Sequence, residues 1–302
     1  MKKFALALSG LAAISAAPAV AETTYLSFSL DYSQLNIENE KFTSKFKQTS
    51  AAAAFERTSG KFTYGGELKT IRNSVDYGRG SDDWSFNGAS AYLGYDVTSA
   101  ITVFASASIF DDYEELRTLT AGAEYTSGAY TFGAAYSTNE YEGGYDFDTK
   151  YLYVEYNAND LSAYGAVMFD VEDELYFVGV SRDVEAYQVD LDVVHSDFLD
   201  IYALSGSYNI RDNLRLNGAA TRYDFGFGPQ VTELSLGAGY MVGENVWIDA
   251  SYELSDDDRD SFSGFGLKVS YEIGKPGVRA ADRVATPMDF YELFPSFFYG
   301  PT

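Results

Sequence analysis

The sequence predicts an all-β chain: a transmembrane antiparallel β-barrel of about sixteen strands over residues 22–273, followed by a C-terminal extension. Three observations predict it. Apolar residues recur in period two almost without a break from Thr23 to Ile273. The connections alternate between tight turns and longer, acid-rich loops. Beyond the N-terminal segment, no apolar run approaches the ~20 residues of a spanning helix.

Lys2 and Lys3 form a positive n-region, Phe4 to Ala17 an apolar h-region, and Ala19-Val20-Ala21 an A-x-A cleavage site. Residues 1–21 therefore read as a cleaved signal peptide, and the mature chain starts at Glu22. An exported chain of this kind enters a membrane through its strands.

The strands are expected near 23–34, 45–57, 60–71, 84–97, 100–110, 115–126, 129–138, 148–157, 161–170, 174–182, 185–195, 199–209, 212–223, 230–241, 244–254 and 261–273. Their alternation is plain at Ile101, Val103, Ala105, Ala107 and Ile109, against Thr102, Phe104, Ser106 and Ser108. Leu234, Leu236, Ala238 and Tyr240 repeat it against Glu233, Ser235, Gly237 and Gly239. One face is apolar and the other small or polar, as lipid outside and water inside require.

Thr58-Ser59-Gly60, Thr98-Ser99, Ser127-Gly128, Asn159-Asp160, Arg182-Asp183, Arg211-Asp212-Asn213 and Gly243-Glu244-Asn245 are tight-turn sequences. Asp76 to Asp83, Glu140 to Asp148 and Ser255 to Ser261 are longer. Short periplasmic turns and longer extracellular loops are the outer-membrane pattern. Before the tight turns, on the apolar face, stand Phe55, Tyr95, Tyr125, Tyr156, Tyr208, Tyr240 and Tyr271. This is an expected periplasmic aromatic girdle, because tyrosine sets an apolar ring and a polar hydroxyl across a lipid–water boundary. The repeat has a gap near Arg182.

The water-facing positions carry Glu56, Lys61, Glu67, Lys69, Glu124, Glu155, Asp190, Asp192, Arg215, Asp249, Glu253, Lys268 and Glu272, which are expected to line the interior. Acids outnumber bases there, as they do in the chain, whose formal net charge is −24. Such a charge opposes nucleic acid as a partner, and a chain without cysteine has neither disulfides nor thiolate metal sites. Asp256, Asp257 and Asp258 are candidates for binding Ca²⁺ or Mg²⁺ through oxygen ligands, beside lipopolysaccharide, and a solvated acidic rim is the plainer reading. The lone His195 adjoins Ser196 and Asp197, but sequence neighbours do not make a triad, so no catalysis is expected. Strands two to seven place Ala51, Ala53, Ala89, Ala91, Ala105, Ala107, Ala121, Ala123 and Ala134 on the apolar face, a wall smooth enough for close packing against another copy.

With the A-x-A signal, the strand count, the aromatic repeat and the last strand, the sequence resembles the Gram-negative porins, especially sixteen-stranded alphaproteobacterial ones. The resemblance covers the chain from the signal peptide to Ile273. The last strand, Gly264 to Tyr271, is similar to the β-signal read by the outer-membrane assembly machinery, with Gly266, Val269 and Tyr271 at the matching places. The resemblance implies a trimeric, water-filled channel for passive diffusion of small hydrophilic solutes, in a membrane of phospholipid and lipopolysaccharide. The acidic interior adds an expected cation preference. A non-channel structural or adhesive barrel is the alternative, and the many inward Gly, Ser, Thr and Ala residues favour the channel.

Two features depart from the family. The third loop is only about Asp111 to Glu114, too short for the usual constriction, so the eyelet is built otherwise or the pore is wide. Residues 274–302 follow the last strand as a periplasmic tail, a lumen plug or a partner-binding segment.

Overall fold

The computed structural model describes residues 24–38, 43–76, 80–111, 115–142, 144, 146–169, 174–226, 230–257 and 261–274. The expected signal peptide (1–21), nearly all of the 274–302 tail, the third-loop residues 112–114 and Asp258 lie outside them.

Sixteen strands follow in order: β1 Thr24–Glu38, β2 Thr43–Ser59, β3 Phe62–Asp76, β4 Ser81–Asp96, β5 Ile101–Asp111, β6 Glu115–Ser127, β7 Tyr130–Tyr141 and β8 Asp146–Ala158. The second half is β9 Leu161–Phe169, β10 Glu174–Val184, β11 Tyr187–His195, β12 Leu199–Arg211, β13 Leu214–Phe225, β14 Gln230–Gly243, β15 Val246–Asp257 and β16 Ser261–Ile273. Each strand pairs antiparallel with its sequence neighbours, and β1 closes on β16 from Leu26↔Ile273 to Glu38↔Ser261. Closure leaves no sheet edge, so the backbone groups of every strand find ladder partners inside an apolar medium.

Several strands run further toward the loops than the alternation foretells. β3 continues to Asp76 and β4 begins at Ser81, which shortens the expected Asp76–Asp83 loop. The backbone of a hairpin keeps pairing above the apolar belt, where side chains no longer need to alternate.

Register fixes the faces. Leu236 is 74% exposed, Leu119 62% and Val178 55%, and all three point outward with Leu152, Leu204 and Phe265. A belt this wide of exposed large apolar side chains is built for hydrocarbon rather than water. Among the described residues no helix is long and apolar enough to cross a membrane; the strands cross it.

The tight turns concentrate the unusual backbone. Gly60 and Gly128 have φ of 61°, and Asn159 and Asn245 have φ of 54° and 65°. Asparagine tolerates the left-handed region, whereas a β-branched residue does not. Asn245→Val is expected to cost about 1–2 kcal/mol, read as a lower urea midpoint for unfolding in lipid vesicles.

Candidate functional site

The inner wall has two sectors of opposite character. Along β1–β3 and β11–β16 runs an open cavity of about 960 Å³. Its lining includes seven carboxylates, Asp31, Glu67, Asp190, Glu233, Asp249, Glu253 and Glu272, and three bases, Lys69, Arg215 and Lys268. Serines, glycines and Asn217 fill the spaces between them.

Two of the bases, Arg215 and Lys268, are tied to acids. Arg215 holds Asp249 with two parallel bonds, Nε to Oδ1 at 2.8 Å and Nη2 to Oδ2 at 2.7 Å. Asn217 Nδ2 adds a third bond to Oδ1 at 2.9 Å. The guanidinium lies over the Trp247 ring, 4.2 Å from its centroid. A planar fork held by a carboxylate and stacked on an indole is a rigid element. Lys268 Nζ reaches Asp31 at 3.5 Å across the β1–β16 pair.

The other sector is packed. Tyr92, Phe104, Tyr151, Tyr153, Met168, Leu175, Val194, Ile201 and Tyr223 form one buried inward cluster, with Tyr164 and Phe177 packed against it. At the loop end, Phe86 and Phe110 stack at 5.9 Å, and Leu116 completes a second buried group with them. Beneath these rings lie small polar residues bonded across strands. Thr118 Oγ1 donates to Asn139 Oδ1 at 2.8 Å, Asn139 Nδ2 to Thr149 Oγ1 at 3.1 Å, and the Thr120 and Ser137 hydroxyls are 2.7 Å apart. Glu124, 8% exposed, accepts a 2.8 Å bond from the Tyr153 hydroxyl.

In this sector the small inward residues do not leave open space. A Cβ on Gly122 would strike the Phe104 ring and one on Gly133 the Tyr153 ring, while one on Gly94 would stand 2.6 Å from the Tyr92 hydroxyl. These glycines are seats for aromatic side chains lying flat on the wall, not open space. They also bear on how the interior narrows without a long third loop. β5 ends at Asp111 and β6 begins at Glu115, and wall-borne rings occupy one sector of the lumen.

Of the residues expected inside, Glu67, Lys69, Asp190, Arg215, Asp249, Glu253, Lys268 and Glu272 line the cavity. Glu56, Glu124 and Glu155 point inward but are buried at 5–8% exposure. Asp192 shares the inward face of β11 with Asp190 and is exposed. Lys61 departs from the expectation. It sits in the turn before β3, where its ammonium reaches the Val97 carbonyl at 3.3 Å and lies 5.8 Å from the Tyr95 ring centroid, at the barrel's rim.

Phe55, Tyr95, Tyr125, Tyr156, Tyr208, Tyr240 and Tyr271 occupy outward register positions at the tight-turn end. Phe62, Tyr130 and Tyr187, missed in the sequence, join them from the strands leaving the turns. Phe62 packs on Tyr95 at 4.9 Å and Tyr130 on Tyr156 at 5.0 Å. Tyr187 fills the gap near Arg182, whose guanidinium carbon is 5.8 Å from its ring centroid. Counting in period two from the far side of each turn finds all three.

His195 Nδ1 meets Asp200 Oδ1 at 2.5 Å, whereas Ser196 Oγ accepts from Leu199 N at 3.1 Å and shapes its own turn. No hydrogen bond joins His195 to Ser196 among the described residues. Asp256 accepts from Ser261 Oγ at 3.1 Å, and no three His, Asp or Glu side chains converge on a metal site among the described residues.

No protein-family model matches the sequence, and no curated protein is significantly similar to it. Solved structures do match the fold. OccK1 (OpdK) of Pseudomonas aeruginosa superposes with a TM-score of 0.55 at 10% identity, over 84% of this chain and 99% of that one. OccK7 (OpdD) of the same organism gives 0.54 at 13%, with the same coverage. A mutant of Rh. blastica porin gives 0.51 at 14%, over 82% of this chain and 100% of that one. The chain has the porin fold. At these identities the likeness is one of architecture, sixteen strands closed around a lumen.

Proposed function

We propose that the chain is an outer-membrane channel through which small hydrophilic solutes and ions diffuse passively, with cations preferred. The observation that carries this reading is the open, polar sector of the lumen, where seven carboxylates face three bases. A sixteen-stranded barrel is wide enough to hold an aqueous path. An excess of fixed carboxylates in a confined, low-dielectric tube concentrates cations. The porin fold supports the same reading. No cofactor is required.

The outward apolar belt supports residence in the outer membrane; in this reading the chain is exported on a cleaved signal peptide, inserted by the outer-membrane assembly machinery, and surrounded by phospholipid and lipopolysaccharide. The alanine-rich outer wall of β2–β7 is the surface on which copies associate into a homotrimer. A native mass equal to one chain after mild detergent extraction overturns the trimer.

Planar-bilayer recording tests the channel. In a KCl gradient the reversal potential is expected to take the sign of potassium selectivity. A potential of the chloride sign overturns the preference, and a chain that inserts without conducting favours a structural or adhesive barrel.

A further inference from the structure

The cavity's acids are mostly engaged within the chain. Asp31 meets Lys268, Asp249 meets Arg215 and Asn217, and Glu253 accepts from Ser251 at 3.2 Å. Asp190 accepts from Ser181 at 2.5 Å and from Gln188 at 3.1 Å, and Glu233 from the Tyr223 hydroxyl at 3.4 Å. Asp192, inward on β11 beside the cavity's lining, has neither a basic partner nor a hydrogen-bond donor among the described residues, as is also true of Glu272 near the turn end of β16. The three bases of the cavity stand on β3, β13 and β16, away from it.

The surroundings of Asp192 are also distinctive. Opposite it on β10 is Gly179, and a Cβ there would lie 2.7 Å from Asp192 Oδ1. The carboxylate therefore lies across the glycine, toward β9. Opposite Gly179 on β9 is Tyr164, and Phe177 is the next inward residue of β10 toward the loops. Both rings pack on the buried aromatic cluster but remain only half-buried, so part of each faces the lumen. A free carboxylate thus stands at the boundary between the polar and the aromatic sector, on a floor without a side chain.

We propose that Tyr164, Phe177, Gly179 and Asp192 form a subsite in the lumen for organic ammonium ions, solutes that carry a protonated amine on an apolar body. The carboxylate pairs with the ammonium. The aromatic faces take the alkyl or aryl body and add cation–π attraction. Gly179 leaves the room that a side chain would fill. A carboxylate solute of the same size meets the same rings but is repelled by Asp192. The inference rests on the open lumen of the proposed channel and names a solute class for it.

The test uses the full mature chain in planar bilayers, with benzylammonium as the probe, potassium as the reference and benzoate as the size-matched anion. Reversal potentials give the permeability ratios. The wild-type chain is expected to pass benzylammonium in preference to benzoate. Asp192→Asn is expected to lower the benzylammonium-to-potassium ratio by about two- to fivefold, the range of a partly exposed cation–π and ion-pair contact. Gly179→Ala, which fills the floor, lowers it in the same direction. Tyr164→Leu also lowers it, while Tyr164→Phe, which keeps the ring, does not. An unchanged ratio in Asp192→Asn, or an equal loss in the neighbouring Asp190→Asn, overturns the subsite. Loss of all KCl conductance in the wild-type chain would instead overturn the channel reading, so the two failures are distinguishable.

Discussion

Leu236→Arg is expected to destabilise the folded barrel by about 2–4 kcal/mol, the cost of a cation on the lipid face near the bilayer midplane. Leu236 lies mid-strand in β14, points outward and is 74% exposed. In water that exposure would make the substitution mild; in hydrocarbon the guanidinium has no solvation. The adjacent Ser235→Arg is the control, because Ser235 lines the cavity and its guanidinium would stay in water. Equilibrium unfolding of both variants from lipid vesicles gives the difference. A small cost for Leu236→Arg, or an equal one for Ser235→Arg, would mean that the two faces are not lipid and water.

Gly133→Val is expected to disrupt the packed sector and to lower conductance together. A side chain at Gly133 would occupy the place of the Tyr153 ring. The ring must swing into the lumen, and overpacking of this kind costs about 1–3 kcal/mol. The swing also breaks the Tyr153–Glu124 bond and leaves a buried carboxylate without that donor, at a further cost of about 1–3 kcal/mol. The double variant Gly133→Val with Tyr153→Ala removes the clash and should recover part of both losses, a coupling that a double-mutant cycle measures directly. Full additivity of the two substitutions would show that ring and glycine do not share the site.

Much of this architecture is legible in period two. Once lipid is placed on the Leu234–Tyr240 face, the inward direction of Glu67, Arg215 or Lys268 follows from parity alone. The closed order of strands follows from alternating turns and loops. What parity cannot tell is whether an inward glycine is space or a seat. Gly122 is filled by Phe104 because register sets Gly122 directly opposite it on the next strand. Gly237, by contrast, is on the inner face of β14 opposite Ser251, a small residue that lines the cavity. That distinction depends on pairing between residues far apart in the chain, which no local pattern contains. Tyr187 is not hidden in this way: period two counted from the far side of the β10–β11 turn reaches it. The Arg215–Asp249 fork spans 34 residues and was visible only as two charges of matching parity.

The chain contains no cysteine, so single introduced cysteines report their surroundings without background. The most direct test of the central claim is block of single-channel current by a bulky, water-soluble thiol reagent at Ser251→Cys, on the open sector of the lumen, compared with Leu236→Cys on the outer face. Current should fall stepwise on modification of Ser251→Cys and stay unchanged for Leu236→Cys. Equal block at both positions, or unaltered current at Ser251→Cys after confirmed labelling, would contradict an aqueous path along β1–β3 and β11–β16.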